Sequence, residues 1–280
     1  MAIEETSQPD LLLIEPDAPA LHYWRDLWRY RELLWFLVWR DVMVRYKQTA
    51  IGVIWTVLRP LLAMAAFTVV FGVLAKMPSG DVPYPLLVFA GLLPWTFFAN
   101  ALSESSGSLV GNANLLTKVY FPRLIVPLGS ILASVVDLVV SLALMGGLML
   151  WYGFLPGWRL AALPLFLLLC SLFLCGAGLW FAALNVKYRD FRYLVPFLLQ
   201  FGLYVSPVGF SSAVVPESWR LLYSLNPMVG VIDGFRWALL GGRGEVFWPG
   251  VALSTLLSLL LLVSGVWFFR RTERILADVI

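Results

Sequence analysis

The chain is short of charge: Asp, Glu, Lys and Arg make up 13% of its 280 residues, against 60% hydrophobic residues and a mean hydropathy of +0.83. A soluble domain of this length needs far more charged surface, so the composition excludes one and defines an integral membrane protein. Histidine is nearly missing, with His22 the single example, and the acids are scattered, which leaves no acid–base or metal constellation at either membrane face. The two cysteines, Cys170 and Cys175, lie in an apolar run with no His or acid beside them, so they read as packed or lipid-facing thiols rather than metal ligands. No Gly-Lys dipeptide occurs, so the chain cannot form a GxxxxGK[ST] phosphate loop. A basic leader is absent as well. Glu4, Glu5, Asp10, Glu15 and Asp17 make residues 1–19 an acidic tail, expected to be disordered and not a cleaved signal peptide. Internal repeats and paired charges within the apolar runs are also lacking, which argues against a secondary transporter.

What the chain does have begins with a surface helix. Residues 20–48 carry Trp24, Leu27, Trp28, Leu34, Trp35, Val38 and Val42 on one face and Arg25, Arg29, Glu32, Arg40 and Lys47 on the other. Such a helix lies in the membrane interface and does not cross. Residues 49–280 then form a transmembrane domain with six apolar runs, 52–74, 84–102, 124–151, 160–184, 193–210 and 247–269. Each approaches the roughly 20 residues that a bilayer core requires. Six crossings place both termini on one side, and the basic residues choose it. With cytoplasmic termini the inner segments hold Arg25, Arg29, Arg31, Arg40, Arg45, Lys47, Lys118, Arg123, Lys187, Arg189, Arg192, Arg270, Arg271 and Arg274, leaving Lys76, Arg159, Arg220, Arg236 and Arg243 outside. Between the fifth and sixth runs, Pro216 and Pro227 each start an apolar stretch too short to span, so 214–241 is expected to be a re-entrant helix pair.

Several words then carry a resemblance. They are Arg40-Asp41, Arg45 to Thr49, Gly52, Trp55 and Pro60, followed by Gly91, Trp95 and Phe98. Next come Asn112, Asn114, Leu115, Lys118, Phe121-Pro122 and Pro127, and later Arg189-Asp190, Pro207, Pro216 and Asn226-Pro227. In this order, from about Leu33 to Leu240, the chain resembles the type 2 ABC exporter permeases of the polysaccharide and polyol phosphate export family, which move O-antigen, capsule or teichoic acid chains. Residues 208–212 depart from the Ile-Tyr-Pro-like continuation of that family. The resemblance implies an all-α membrane fold in the bacterial cytoplasmic (inner) membrane and a homodimer forming a path for a lipid-linked glycan. It further implies two copies of a separate ATPase that carries the ATP and Mg, with no cofactor on this chain and no nucleic-acid partner. Same-fold and different-class rivals are a type 2 permease for a drug or lipid and a membrane-embedded glycosyl or phosphoryl transferase; the single histidine and scattered acids argue against the transferase.

The candidate site residues each have two readings. In the loop 104–123, Leu109, Leu115, Leu116 and Val119 give a short apolar face among Asn112, Asn114 and Lys118, with Pro122 as a stop. The resemblance makes this the coupling helix that docks on the ATPase; from pattern alone it is an amphipathic connector. Arg40, Arg45, Tyr46 and Lys47 sit at a membrane edge, where basic residues meet lipid head groups, and the resemblance adds an ATPase or pyrophosphate contact. Arg59 within the first run faces a path or subunit interface, or snorkels to the cytoplasmic edge. Phe67 and Phe71, and Phe197, Phe201 and Tyr204, form helix-spaced aromatic stripes that suit packing, lipid contact or the apolar faces of sugars in a channel. Asp137, mid-span, would protonate, pair or face a cavity if isolated, or else hydrogen-bond Ser134 or Ser141 one turn away, which is the expected reading; Asp233 and Arg236 are expected to neutralise each other or line an outer vestibule.

Overall fold

The computed structural model describes residues 20–47, 52–244 and 246–279, with the side chains of 20–22, 52–53 and 274–279 excluded. The acidic tail, His22, Gln48, Thr49 and the carboxyl-terminal Ile280 therefore lie outside the described side chains. The fold is all-helical, with no strand among the described residues.

Two helices, α1 (Ala20–Arg29) and α2 (Arg31–Lys47), replace the single expected interface helix. The break is slight, because Tyr30 still donates to the Asp26 carbonyl and Leu34 to the Tyr30 carbonyl, keeping the ladder continuous through the joint. The face assignment changes more. Leu37 and Val38 turn onto the bundle, whereas Trp24, Trp28, Trp35 and Trp39 are exposed, so the tryptophans form an outward belt and the aliphatic residues make the contact.

Five segments are long and apolar enough to cross a membrane: Ile54–Leu74, Tyr84–Gly111, Ile125–Trp151, Trp158–Lys187 and Trp248–Glu273. The first comprises α3 (Gly52–Phe67) and a π-helical continuation, Thr68–Leu74. The others contain α4 (Tyr84–Gly111), α6 (Ile125–Trp151), α7 (Leu163–Lys187) with a short 3₁₀ turn before it, and α11 (Trp248–Val279). The fifth expected run forms a shorter apolar helix, α8 (Phe191–Val205), because the chain turns at Ser206 before Pro207. The two Pro-started stretches are short helices, α9 (Glu217–Tyr223) and α10 (Pro227–Leu239). Asn226 caps α10 through its side chain, which accepts from the Met228 amide at 3.1 Å, while Pro227 occupies the first turn, where no amide is needed.

Burial assigns each helix its place. Helix α4 is the central column: its most apolar window is 78% buried, against 0% for that of the first span, which lies on the rim with wide apolar faces uncovered. Helix α10 is also interior, with Val231, Ile232 and Phe235 fully enclosed. Helices α7 and α11 approach backbone to backbone. A Cβ at Gly176 would meet the Leu261 carbonyl carbon at 2.7 Å, and one at Gly265 would meet the Gly176 oxygen at 2.6 Å. In lipid, where apolar burial offers helices no preference for one another, such close approach is what drives association. Trp180 and Phe268 stack beside it at 4.0 Å between ring centroids.

Candidate functional site

At one end of the bundle, α1, α2, α5 (Ala113–Lys118) and the end of α11 converge on the lower ends of α4, α6 and α7. Helix α4 continues through Glu104 to Gly111, so the first half of the expected loop 104–123 is a helical extension of a span, and only 112–123 is a connector. The Asn112 carboxamide ties this junction together. It donates to the Ser108 carbonyl at 2.8 Å and accepts from Arg40 Nη2 at 2.8 Å; Arg40 also pairs with Asp41. The helix end is thus pinned to α2 by a charge-assisted bond.

The apolar face of this connector looks inward. Leu109 is 0% exposed and Leu116 9%, both in a cluster with Leu37, Phe121, Leu124 and Phe269, while Leu115 is half-buried against it. The residues left outside are Val110, Asn114, Thr117, Lys118, Val119 and Tyr120. Leu109 and Leu116 of the expected docking face therefore hold the connector to its own chain, while Val119 stays outside with the polar and aromatic residues.

One turn further along α2, Arg45 bridges two spans, its Nη2 bonded to Glu104 of α4 and its Nη1 to Asp137 of α6. Tyr46 also donates its hydroxyl to Asp137, and Ser134 donates to Glu104 at 3.2 Å. Burial, then the hydrogen bond and charge of Asp137, push the Tyr46 phenol up to about 12, which keeps it a donor at neutral pH. This corrects the expectation for Asp137. Its carboxylate is held by groups some ninety positions away in sequence, and Ser134 serves Glu104 instead. A carboxylate within a span is costly alone, and the bridging guanidinium offsets that cost for two at once. Lys47 is exposed, and the exposed Arg59 lies over the Trp55 ring at 5.9 Å.

The aromatic stripes separate. Phe67 and Phe71 stack at 5.6 Å and close on Gly209, where a Cβ would sit 2.7 Å from the Phe71 ring. Phe197, Phe201 and Tyr204 on α8 are 62%, 59% and 64% exposed, so no helix among the described residues covers that face. Phe201 also edges an apolar groove of about 520 Å³ walled by Trp95, Phe98, Phe173 and Trp180.

At the opposite end, Arg236 does not neutralise Asp233 through a direct ion pair among the described contacts. Its guanidinium donates to three carbonyls, Leu87 at 3.1 Å, Phe210 at 2.7 Å and Val208 at 2.8 Å, and so fastens the 208–210 turn to α4 and α10. Arg236 thus acts as a clamp for the stretch whose sequence departs from the family's usual continuation. Sequence reading missed this clamp and the Arg45–Glu104 bridge; the signal that could have found them is an intramembrane charge that needs a partner.

Several apolar helices of membrane-spanning length, with two short helices inserted before the last, define a multi-pass membrane protein. The chain belongs to the ABC-2 type transporter family, whose profile matches residues 32–240, nearly the stretch that carries the sequence words. It is 32% identical over 252 residues to the O-antigen export system permease protein RfbA of Myxococcus xanthus, covering 89% of this chain and 96% of that one. The RfbA of Klebsiella pneumoniae is 24% identical over 251 residues, 89% and 95% of the two chains. The polysialic acid transport protein KpsM of Escherichia coli is 24% identical over 243 residues, 84% and 91%.

Proposed function

We propose that this chain is the membrane subunit of an ATP-driven exporter that carries a lipid-linked polysaccharide of the O-antigen, capsule or teichoic acid kind across the bacterial cytoplasmic membrane. The observation that carries this reading is the near full-length similarity to permeases named for O-antigen and polysialic acid export. In this reading two copies form the path, and a pair of separate ATPase subunits holds ATP and Mg, consistent with the missing phosphate loop. The exposed side of the 112–123 connector, with Asn114, Lys118 and Tyr120, meets the ATPase, while Arg40 and Arg45 pass its motion to α4 and α6. Basic residues crowd the α1–α2–α5 end, which supports a cytoplasmic position for that end and both termini.

The deciding experiment removes the gene and measures glycan on both sides of the membrane. Lipid-linked glycan should accumulate inside while surface glycan is lost, and plasmid-borne copies should reverse both. Normal surface glycan without internal accumulation would overturn the reading. In a second measurement, the purified chain should bind no nucleotide, and specific ATP binding by it alone would remove the two-component arrangement.

A further inference from the structure

The connector 112–123 carries a bond to a different helix at each end. At its start, Asn112 holds Arg40 of α2. At its finish, Arg123 meets Glu273 near the end of α11, 150 positions later in the chain. The Glu273 carboxylate accepts from the Arg123 backbone amide at 2.9 Å, and Arg123 Nη1 donates to the Glu273 backbone carbonyl at 2.8 Å. The two bonds run in opposite directions between the same two residues. Each has a charged group on one side, so both are directional and stronger than neutral pairs.

The place of this pair follows from the start of α6. That helix opens without a side-chain cap, since Leu124 stands at its N-cap position. The amides of Ile125 and Val126 turn back on the Pro122 and Arg123 carbonyls, both at 3.1 Å, whereas the Arg123 amide, one position before the cap, goes to Glu273. A carboxylate from α11 thus supplies, beside the positive end of the α6 dipole, what the local sequence does not. The same stretch of α11 is gripped by its neighbours. Phe269 is fully buried in the cluster of Leu37, Leu116 and Phe121, and the Arg270 guanidinium lies 4.8 Å from the centre of the Tyr23 ring.

Apolar contact is non-directional and lets the connector slide, whereas the paired bonds fix its register on α11. Asn114, Thr117 and Lys118, exposed between the two ends, are where a partner can push. A push there loads both anchors. The first leads through Arg40 to α2. The second leads to α11 and from it to α7, because these two helices meet backbone to backbone at Gly176 and Gly265 with no side chain between them to yield.

We propose that Arg123 and Glu273 form a second coupling point, through which displacement of the connector by the ATPase reaches α11 and α7. Glu273 is a positioning residue, acting through the connector and not on the glycan. The proposal rests on the export reading above and deepens it by naming how the stroke reaches these two spans.

The test uses the full chain, co-expressed with its ATPase in the gene-deletion strain. Four quantities are measured: membrane-inserted protein, co-purified ATPase, ATP hydrolysis by the purified complex, and surface glycan. Glu273→Ala should leave the first three at the wild-type level and lower the glycan exported per ATP hydrolysed by about tenfold or more, the shift expected when a hydrogen bond to a charged group is lost. Glu273→Gln keeps an acceptor oxygen for the Arg123 amide and should restore a large part of that export. Arg123→Ala removes the guanidinium bond but spares the amide, so it should also uncouple, and it decides the matter if Glu273→Ala does not accumulate in the membrane. Unchanged export per ATP in the folded Ala variants, glycan loss that merely tracks protein amount, or a Gln variant as defective as the Ala one would each overturn the coupling role. Failure of the export reading looks different. If deleting the gene leaves surface glycan normal, that reading falls; if deletion abolishes surface glycan while both Ala variants export normally, the coupling role alone falls.

Discussion

At the scale of single residues, Arg45 concentrates more consequence than any other side chain, because one guanidinium compensates Glu104 and Asp137 together. Arg45→Met should leave two partly buried carboxylates without their cation and destabilise the protein, by less than the roughly 3–5 kcal/mol of a fully buried pair because the Glu104 side chain is still 39% exposed. Combining it with Glu104→Gln and Asp137→Asn should recover most of that loss, since the charges then disappear together. Thermal denaturation of the detergent-solubilised protein checks both, and a triple variant no more stable than Arg45→Met would show that the bridge is not what the arginine supplies. The location of charge within the apolar runs was legible in the sequence; its pairing was not. Asp137 has serines one turn away on either side, so local spacing points to them, whereas its true partners come from α2, some ninety positions earlier. Long-range pairing leaves no periodic trace.

At the scale of elements, α5 illustrates how an amphipathic pattern fixes that a helix has a sticky face without saying which body it sticks to. The apolar positions of 104–123 were readable, and so was the Pro122 stop, but Leu109 and Leu116 turn onto Leu37 and Phe121 of the same chain. Leu116→Asp should therefore lower the amount of membrane-inserted protein, while Asn114→Arg with Tyr120→Ala, both exposed, should leave that amount unchanged and reduce co-purification of the ATPase. Quantitative immunoblots of membranes and of affinity-purified complex separate the two outcomes. A Leu116→Asp protein at normal level would return the apolar face to the partner. The spans themselves were legible because 20-residue apolar runs have few alternatives, and the capped, Pro-started α10 was signalled by Asn226-Pro227. The extent of α8 was less so, because hydropathy runs smoothly through Ser206 and Pro207 where the backbone turns.

For the whole molecule, the most telling surface is the uncovered face of α8. Phe197, Phe201 and Tyr204 stand outside the packed core, so replacing all three by Ala should not incur the roughly 3–5 kcal/mol per residue expected of buried aromatics. Protein level and thermal stability should hold, and surface glycan should fall or change in chain length if that face borders the path between two copies. A normal glycan profile from a stable triple variant would take the stripe off the path, and loss of the protein itself would mean that the rings are packed against a second copy. Sequence alone gave the stripe its spacing but not its exposure, which depends on where every other helix lies.

Helix α4 joins the two ends of this arrangement in one piece. Its 28 residues extend about 42 Å, from Leu87 and Gly91 beside the Arg236 guanidinium to Glu104 and Asn112 beside Arg45 and Arg40. Both sets of contacts are therefore indexed on a single screw. Inserting one residue anywhere between Gly91 and Glu104 would turn one end against the other by about 100° and advance it by about 1.5 Å. No single compensating substitution could restore both clamps, so within this stretch the chain can tolerate exchanges of residue type far more readily than any change of length.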